Sequence, residues 1–111
     1  MGYRLTDPHI RIKSHNRNRG NLLEQIEIPI DGVLDLHTFH PKEVKGLLDE
    51  YIFACNEKKI FSLRIIHGKG MGVLKKRVRG ILKKHPQVAS FMDAPIDAGG
   101  WGATLVELKK S

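Results

Sequence analysis

The sequence predicts an α/β fold: a two-layer sandwich in βαβαββ order, with a mixed four-stranded sheet and helices on one face. Three observations predict it. Two short strand patterns, VLDLH (Val33 to His37) and FSLRII (Phe61 to Ile66), are separated by a helical stripe. A second helical stripe follows the second strand, and then VASFMD (Val88 to Asp93) and ATLVELK (Ala103 to Lys109) read as two closing strands. A strand, helix and strand in succession favour parallel pairing through a right-handed crossover. Strands with one apolar and one mixed face suit a sheet covered on one side only.

The 111 residues suffice for one modest core. Residues 1–25 read as a basic N-terminal arm, and residues 26–111 as the domain. Arg4, Arg11, Lys13, Arg17 and Arg19 outweigh Asp7, and residues 1–20 show no sustained apolar period. Ile26 to Ile30 reads as a short extended entry, ended by an Asp31-Gly32 turn signal. In VLDLH, alternation sends Leu34 and Leu36 one way and Val33, Asp35 and His37 the other. Pro41 suits the first turn of a helix, and Glu43 sits where first-turn acids are favoured. Val44, Leu47, Leu48, Tyr51, Ile52 and Cys55 then recur at helical spacing. Phe61, Leu63 and Ile65 share one face of the next strand. The second helix carries Leu74, Val78, Ile81 and Leu82 on its stripe, with Lys75, Lys76, Arg79 and Lys83 expected opposite. His85-Pro86 stops it.

Charge narrows the partner. The net charge is +7, and from Lys58 to Lys84 there are ten Lys and Arg with no Asp or Glu. Such segregation makes a one-signed field, whose usual partner is a polyanion. The plainer reading is a solvated helix face beside a basic tail. Apolar residues make up 41% and no run approaches the ~18 that span a membrane. MGYRLTDPHIRIK has no apolar signal-peptide core, although MGYRLT fits the loose N-myristoylation pattern, which recurs by chance. The single Cys55 leaves no intramolecular disulfide and no multi-cysteine zinc site. These features fit the cytoplasm.

Chemistry concentrates at one junction. If the first two strands lie parallel, their carboxyl ends share the edge where open α/β sheets bind ligands. That edge receives Asp35 and His37, then His67-Gly68-Lys69-Gly70, and the start of the second helix. Glycines let the backbone approach a phosphate, Lys69 adds a point charge, and the helix start offers N–H groups. Asp35, His37 and His67 are the candidate catalytic residues. One imidazole would act as general base or acid, with Asp35 orienting it or holding a divalent metal ion. Two histidines and a carboxylate are also the composition of a metal triad. Asp35 and His37 could equally be a hydrogen-bonded pair that closes a strand. Gly68, Lys69, Gly70, Lys75, Lys76, Arg79 and Lys83 are the candidate phosphate or nucleic-acid contacts. Trp101, in a glycine-rich loop, either stacks on a base or pins that loop. No nucleotide cofactor is expected. No Ser or Thr follows a glycine-lysine pair, and Val73 stands at the third glycine of GxGxxG.

LDLH (Leu34 to His37), HGKG (His67 to Gly70) and GGWGATLVEL (Gly99 to Leu108), in this order, resemble the Smr (small MutS-related) domain family. The resemblance runs from about Gly32 to Leu108. It implies a two-layer sandwich similar to the C-terminal domain of translation initiation factor 3. It also implies binding to DNA or RNA, with nicking or structure-selective endonuclease activity in several members. Non-catalytic docking on nucleic acid or a ribonucleoprotein is the alternative. The implied functional positions are Asp35, His37, His67, Gly68, Lys69 and Gly70. The implied settings are the ribosome or repair and recombination intermediates; the chain is expected to be a monomer. One position departs from the pattern: Thr38 stands where the family continues LDLH with glycine. A positive φ there would strain a threonine, so the first loop is expected to follow a different path.

Overall fold

The computed structural model describes residues 9–16, 22–68, 72–98 and 100–110. Strands β1 (His9–Asn16) and β2 (Leu22–Pro29) form an antiparallel hairpin, in register from His9 opposite Pro29 to Asn16 opposite Leu22. Then come β3 (Val33–Asp35), α1 (Pro41–Glu57), β4 (Ser62–Ile66), α2 (Val73–Lys84), β5 (Val88–Asp93) and β6 (Ala103–Leu108). Two single-turn 3-10 segments, Ile96–Ala98 and Gly100–Gly102, link the last two strands. The second sheet has the order β3-β4-β6-β5, with β3 parallel to β4 and the other pairs antiparallel. This is the mixed four-stranded α/β sheet expected from the strand and helix patterns.

The hairpin is the addition. Strand β1 and part of β2 fall inside residues 1–25, the stretch read above as a basic N-terminal arm. Ile10 is 0% exposed and joins Ile28 and Ile30 in the core, and β1 packs against α1. A segment that places a fully buried isoleucine in the core is not a free tail at that point. The MGYRLT pattern lies outside the described residues.

Alternation does the rest. Leu34, Leu36, Leu63, Ile65, Val106 and Leu108 are buried, while Val33, Asp35, Ser62 and Glu107 on the opposite face are exposed. Helix α1 covers the buried face with Val44, Leu47, Leu48, Tyr51, Ile52 and Cys55, the stripe expected for it. Its start is closed by a capping box. His40 accepts from the Lys42 N–H, and Glu43 accepts from the His40 N–H at 3.0 Å. Tyr51 carries its hydroxyl to the β2–β3 link, where it accepts from the Gly32 N–H at 3.0 Å. The buried Cys55 thiol is pushed up to about 12, mainly by burial, and is inert at neutral pH.

Candidate active site at the carboxyl edge of the sheet

Strand β3 brings Asp35 and His37 to the carboxyl edge, and β4 brings His67 and Gly68 beside them. The parallel ladder continues one residue past β3, where the Leu36 N–H donates to the Ile66 carbonyl at 2.7 Å. The chain then turns, and the Phe39 N–H donates back to the Leu36 carbonyl at 2.9 Å. Among the described residues other than glycine, only Lys59 has a positive φ. Thr38 therefore occupies ordinary backbone, and the turn closes without the strain that a positive φ would bring.

Asp35 and His37 form a local pair. The Asp35 carboxylate accepts the His37 backbone N–H at 3.0 Å and also the His37 ring Nδ1–H. Both side chains are about half exposed. With Nδ1 engaged, Nε2 is the free nitrogen; it has no hydrogen-bond partner among the described residues. Partial burial works to raise the Asp35 pKa, but the hydrogen bonds from the His37 ring and backbone outweigh it and hold the carboxyl below its ordinary value. Gly68 backs directly onto this pair. Its φ is +81°, and a Cβ there would lie 3.5 Å from that of His37.

His67 is built differently. It is 4% exposed, with Nε2 at 2.8 Å from the Thr104 hydroxyl and Nδ1 at 3.2 Å from the Gly68 carbonyl. A carbonyl only accepts, so the network assigns the proton to Nδ1, and Nε2 accepts from Thr104. Burial holds the imidazole below its ordinary pKa, and the charges of Lys75 and Arg79 push the same way. His67 is thus neutral and has both nitrogens occupied. The backbone is fastened too: the Gly102 carbonyl accepts the N–H of His67 at 3.0 Å and of Gly68 at 2.9 Å.

Of the three candidate catalytic residues, Asp35 and His37 share an open pair, while His67 is buried against Thr104 and Gly68. The triad of two histidines and a carboxylate does not converge on one ion. Among the described residues no group of three His, Cys, Asp or Glu side chains is placed to hold a metal.

The basic residues also divide. Lys75 was expected on the solvent side of α2, yet it is 9% exposed. Its Nζ lies 3.2 Å from Asp93 and 4.1 Å from the centre of the Trp101 ring. Arg79 pairs with the same Asp93 oxygen and lies over Phe91. The reason is geometric: positions 75, 78, 79 and 82 share one helix face, and long stems bury while their charged ends reach a partner. Lys76 and Lys83 stay exposed, as expected of them. Lys69 and Gly70 lie outside the described residues. Trp101 reaches back to the start of α2, where a Cβ on Gly72 would meet its Cη2 at 3.3 Å. Gly72 has φ +82° and gives α2 no side-chain cap.

Three participants were not singled out from the sequence: Thr104, Gly102 and Asp93. Thr104 did leave a signal. It falls in phase with Val106 and Leu108, a hydroxyl on an otherwise apolar strand face.

The LDLH turn, the His67-Gly68 end of β4 and the Gly100–Gly102 turn thus meet at one edge. The model of the Smr domain family matches residues 34–109. The chain belongs to the Smr family. This Smr domain is 34% identical over 120 residues to Endonuclease MutS2 of Helicobacter pylori, covering 93% of this chain and 15% of that protein. It is 42% identical over 76 residues to Endonuclease MutS2 of Staphylococcus carnosus, covering 68% of this chain and 10% of that protein. The chain therefore spans only a small part of these curated relatives. The crystal structure of the Smr domain of Thermus thermophilus MutS2 superposes with a TM-score of 0.68 at 33% identity, over 71% of this chain and 99% of that one. The stand-alone small MutS-related protein YdaL from Escherichia coli superposes with a TM-score of 0.69 at 20% identity, over 98% of this chain and 88% of that one. That likeness extends to the fold alone. No helix among the described residues is long and apolar enough to cross a membrane.

Proposed function

We propose that this Smr domain is an endonuclease that cleaves a phosphodiester of DNA or RNA, with His37 as proton acceptor and Asp35 as its orienting carboxylate. The carrying observation is the exposed Asp35–His37 pair seated against Gly68 at the carboxyl edge. With Nδ1–H held by Asp35, Nε2 takes the proton of an attacking hydroxyl or water as its oxygen bonds to phosphorus. The opposite phosphorus–oxygen bond breaks, and the leaving oxygen takes a proton from solvent. Asp35 stabilises the imidazolium that forms. His67 touches no substrate in this scheme and positions the junction from below.

Phosphate binding follows from main chain and charge. Helix α2 starts without a side-chain cap among the described residues, and the positive end of its dipole favours an anion there. Gly68, Lys69 and Gly70 lead into that start in sequence. Lys76 and Lys83 extend the positive field along the helix. Lys76 also lines a groove between α1 and α2 with Arg77 and Lys84, where Asp49 is already engaged by Lys45 and His85. The relatives' name, Endonuclease MutS2, supports the same chemistry.

The test is direct. Purified protein is incubated with end-labelled single-stranded, duplex and branched DNA and RNA, with and without a chelator. His37→Ala should lower turnover by on the order of 10²-fold with affinity nearly unchanged. If the wild type binds these substrates but cuts none, the edge is a docking module. If His37→Ala cuts as well as wild type, the chemistry lies elsewhere.

A further inference from the structure

Trp101 is held in an unusual way for a loop residue. The Lys75 ammonium sits 4.1 Å from the centre of its ring, and Asp93 holds that ammonium at 3.2 Å. The Cη2 corner of the ring rests against Gly72, where a Cβ would intrude to 3.3 Å. The ring is therefore fixed by a cation on one face and by backbone at one corner, yet 47% of the residue is exposed. An indole whose work was to anchor its loop would be covered by apolar side chains, and Trp101 is absent from the core cluster. Its neighbour Gly102 accepts the N–H groups of His67 and Gly68, which places the indole beside the junction that backs onto His37.

We infer that Trp101 is a stacking platform for an unpaired base, so that the substrate class is nucleic acid with at least one unpaired nucleotide at the Asp35–His37 edge. The inference rests on the nucleic-acid reading above and sharpens it. Lys75 lies against one ring face, and 47% of the residue is left exposed to a flat partner. A base within a duplex has both faces occupied by its neighbours, whereas an unpaired base offers a free one, and stacking of this kind tolerates any sequence. Gly72 links the two halves of the site. It is both the residue that lets the indole approach and the N-cap of α2, so a nucleotide stacked on Trp101 has its phosphate close to the helix start.

Trp101 is the only tryptophan of the chain, which makes its fluorescence a site-specific probe. Oligonucleotides of one sequence are titrated as single strand and as blunt duplex, following emission, its access to acrylamide, and affinity. Single strands should quench the emission and shield it from acrylamide, while duplex bound through its phosphates should leave both unchanged. Trp101→Ala should weaken single-strand binding by roughly 5- to 150-fold and duplex binding by no more than about twofold. Trp101→Phe, which keeps a ring of smaller area, should retain most single-strand affinity and guards against a misfolded alanine variant. If bound single strands leave emission and acrylamide access unchanged, or the alanine variant weakens both forms equally, Trp101 merely holds its loop. The inference then falls while nucleic-acid binding stands. If the wild type binds neither form at low salt, both fall.

Discussion

The His67 ring accepts a hydrogen bond from the Thr104 hydroxyl at 2.8 Å, and both groups are closed off from solvent. The pair joins the end of β4 to the start of β6. Thr104→Val keeps the shape but leaves Nε2 without its donor, so it should cost roughly 1–3 kcal/mol in a denaturant titration.

The same pair sets a pH dependence. Native His67 has its pKa lowered from 6.5, so the unfolded chain binds a proton that the native state refuses. Its contribution is fully present above about 6.5 and declines as pH falls towards the native pKa. Urea midpoints at pH 7.5 and 5.5 should therefore differ more in wild type than in His67→Gln, which has no titrating ring. Equal pH slopes in the two proteins would mean that His67 protonates as readily folded as unfolded.

Asp35 should matter to turnover more than to binding. Asp35→Asn removes the carboxylate that holds the His37 ring, and cleavage should fall by on the order of 10²-fold with affinity unchanged or slightly improved. Because hydrogen bonds from His37 keep the Asp35 carboxyl below its ordinary value of 3.8, it stays ionised from pH 5 to 7. Any acid loss of wild-type activity in that window is not a titration of Asp35, and initial rates at constant ionic strength would show it.

Salt should separate the lysines of α2. Lys76 and Lys83 are exposed, and replacing either by alanine should reduce the slope of log affinity against log salt by about 0.9 for each phosphate no longer neutralised. Lys75 is already committed to Asp93 and the Trp101 ring. Lys75→Ala should leave the slope nearly unchanged and instead alter Trp101 emission in the free protein.

The hairpin should prove structural through Ile10. Ile10→Ala empties a fully buried position next to α1, and a loss of roughly 2–5 kcal/mol is expected by thermal or chemical unfolding. Deleting residues 1–20 should likewise destabilise the protein, because β2 loses its paired strand. A deletion that unfolds as cooperatively and as late as wild type would make the hairpin an ornament.

The four-stranded sheet and both helices were legible because each carries its own period, two for the strands and 3.6 for the helices. Of the hairpin only the extended stretch from Ile26 was legible, since Ile10 and Ile12 are only two apolar residues among charged and polar ones, too short a pattern to register. At the candidate site, local patterning placed Asp35, His37 and His67 on one edge correctly. It could not say which histidine is sealed, because that depends on Thr104, 37 residues further along the chain. Lys75 was misplaced for a related reason: a lysine scores as polar, while its stem packs like an aliphatic chain when Asp93 and an aromatic ring await its end.

The Gly102 carbonyl, which takes the N–H groups of His67 and Gly68, also opens β6, the last strand in sequence, which lies between β4 and β5. Pairings of such long sequence separation form late, after a costly loop closure. During synthesis Asp35, His37 and His67 all emerge before the strand that fixes the junction to its support. The candidate edge is therefore latent in the nascent chain, and a fragment ending before β6 would carry every motif residue of the LDLH and HGKG stretches without the support that β6 gives them.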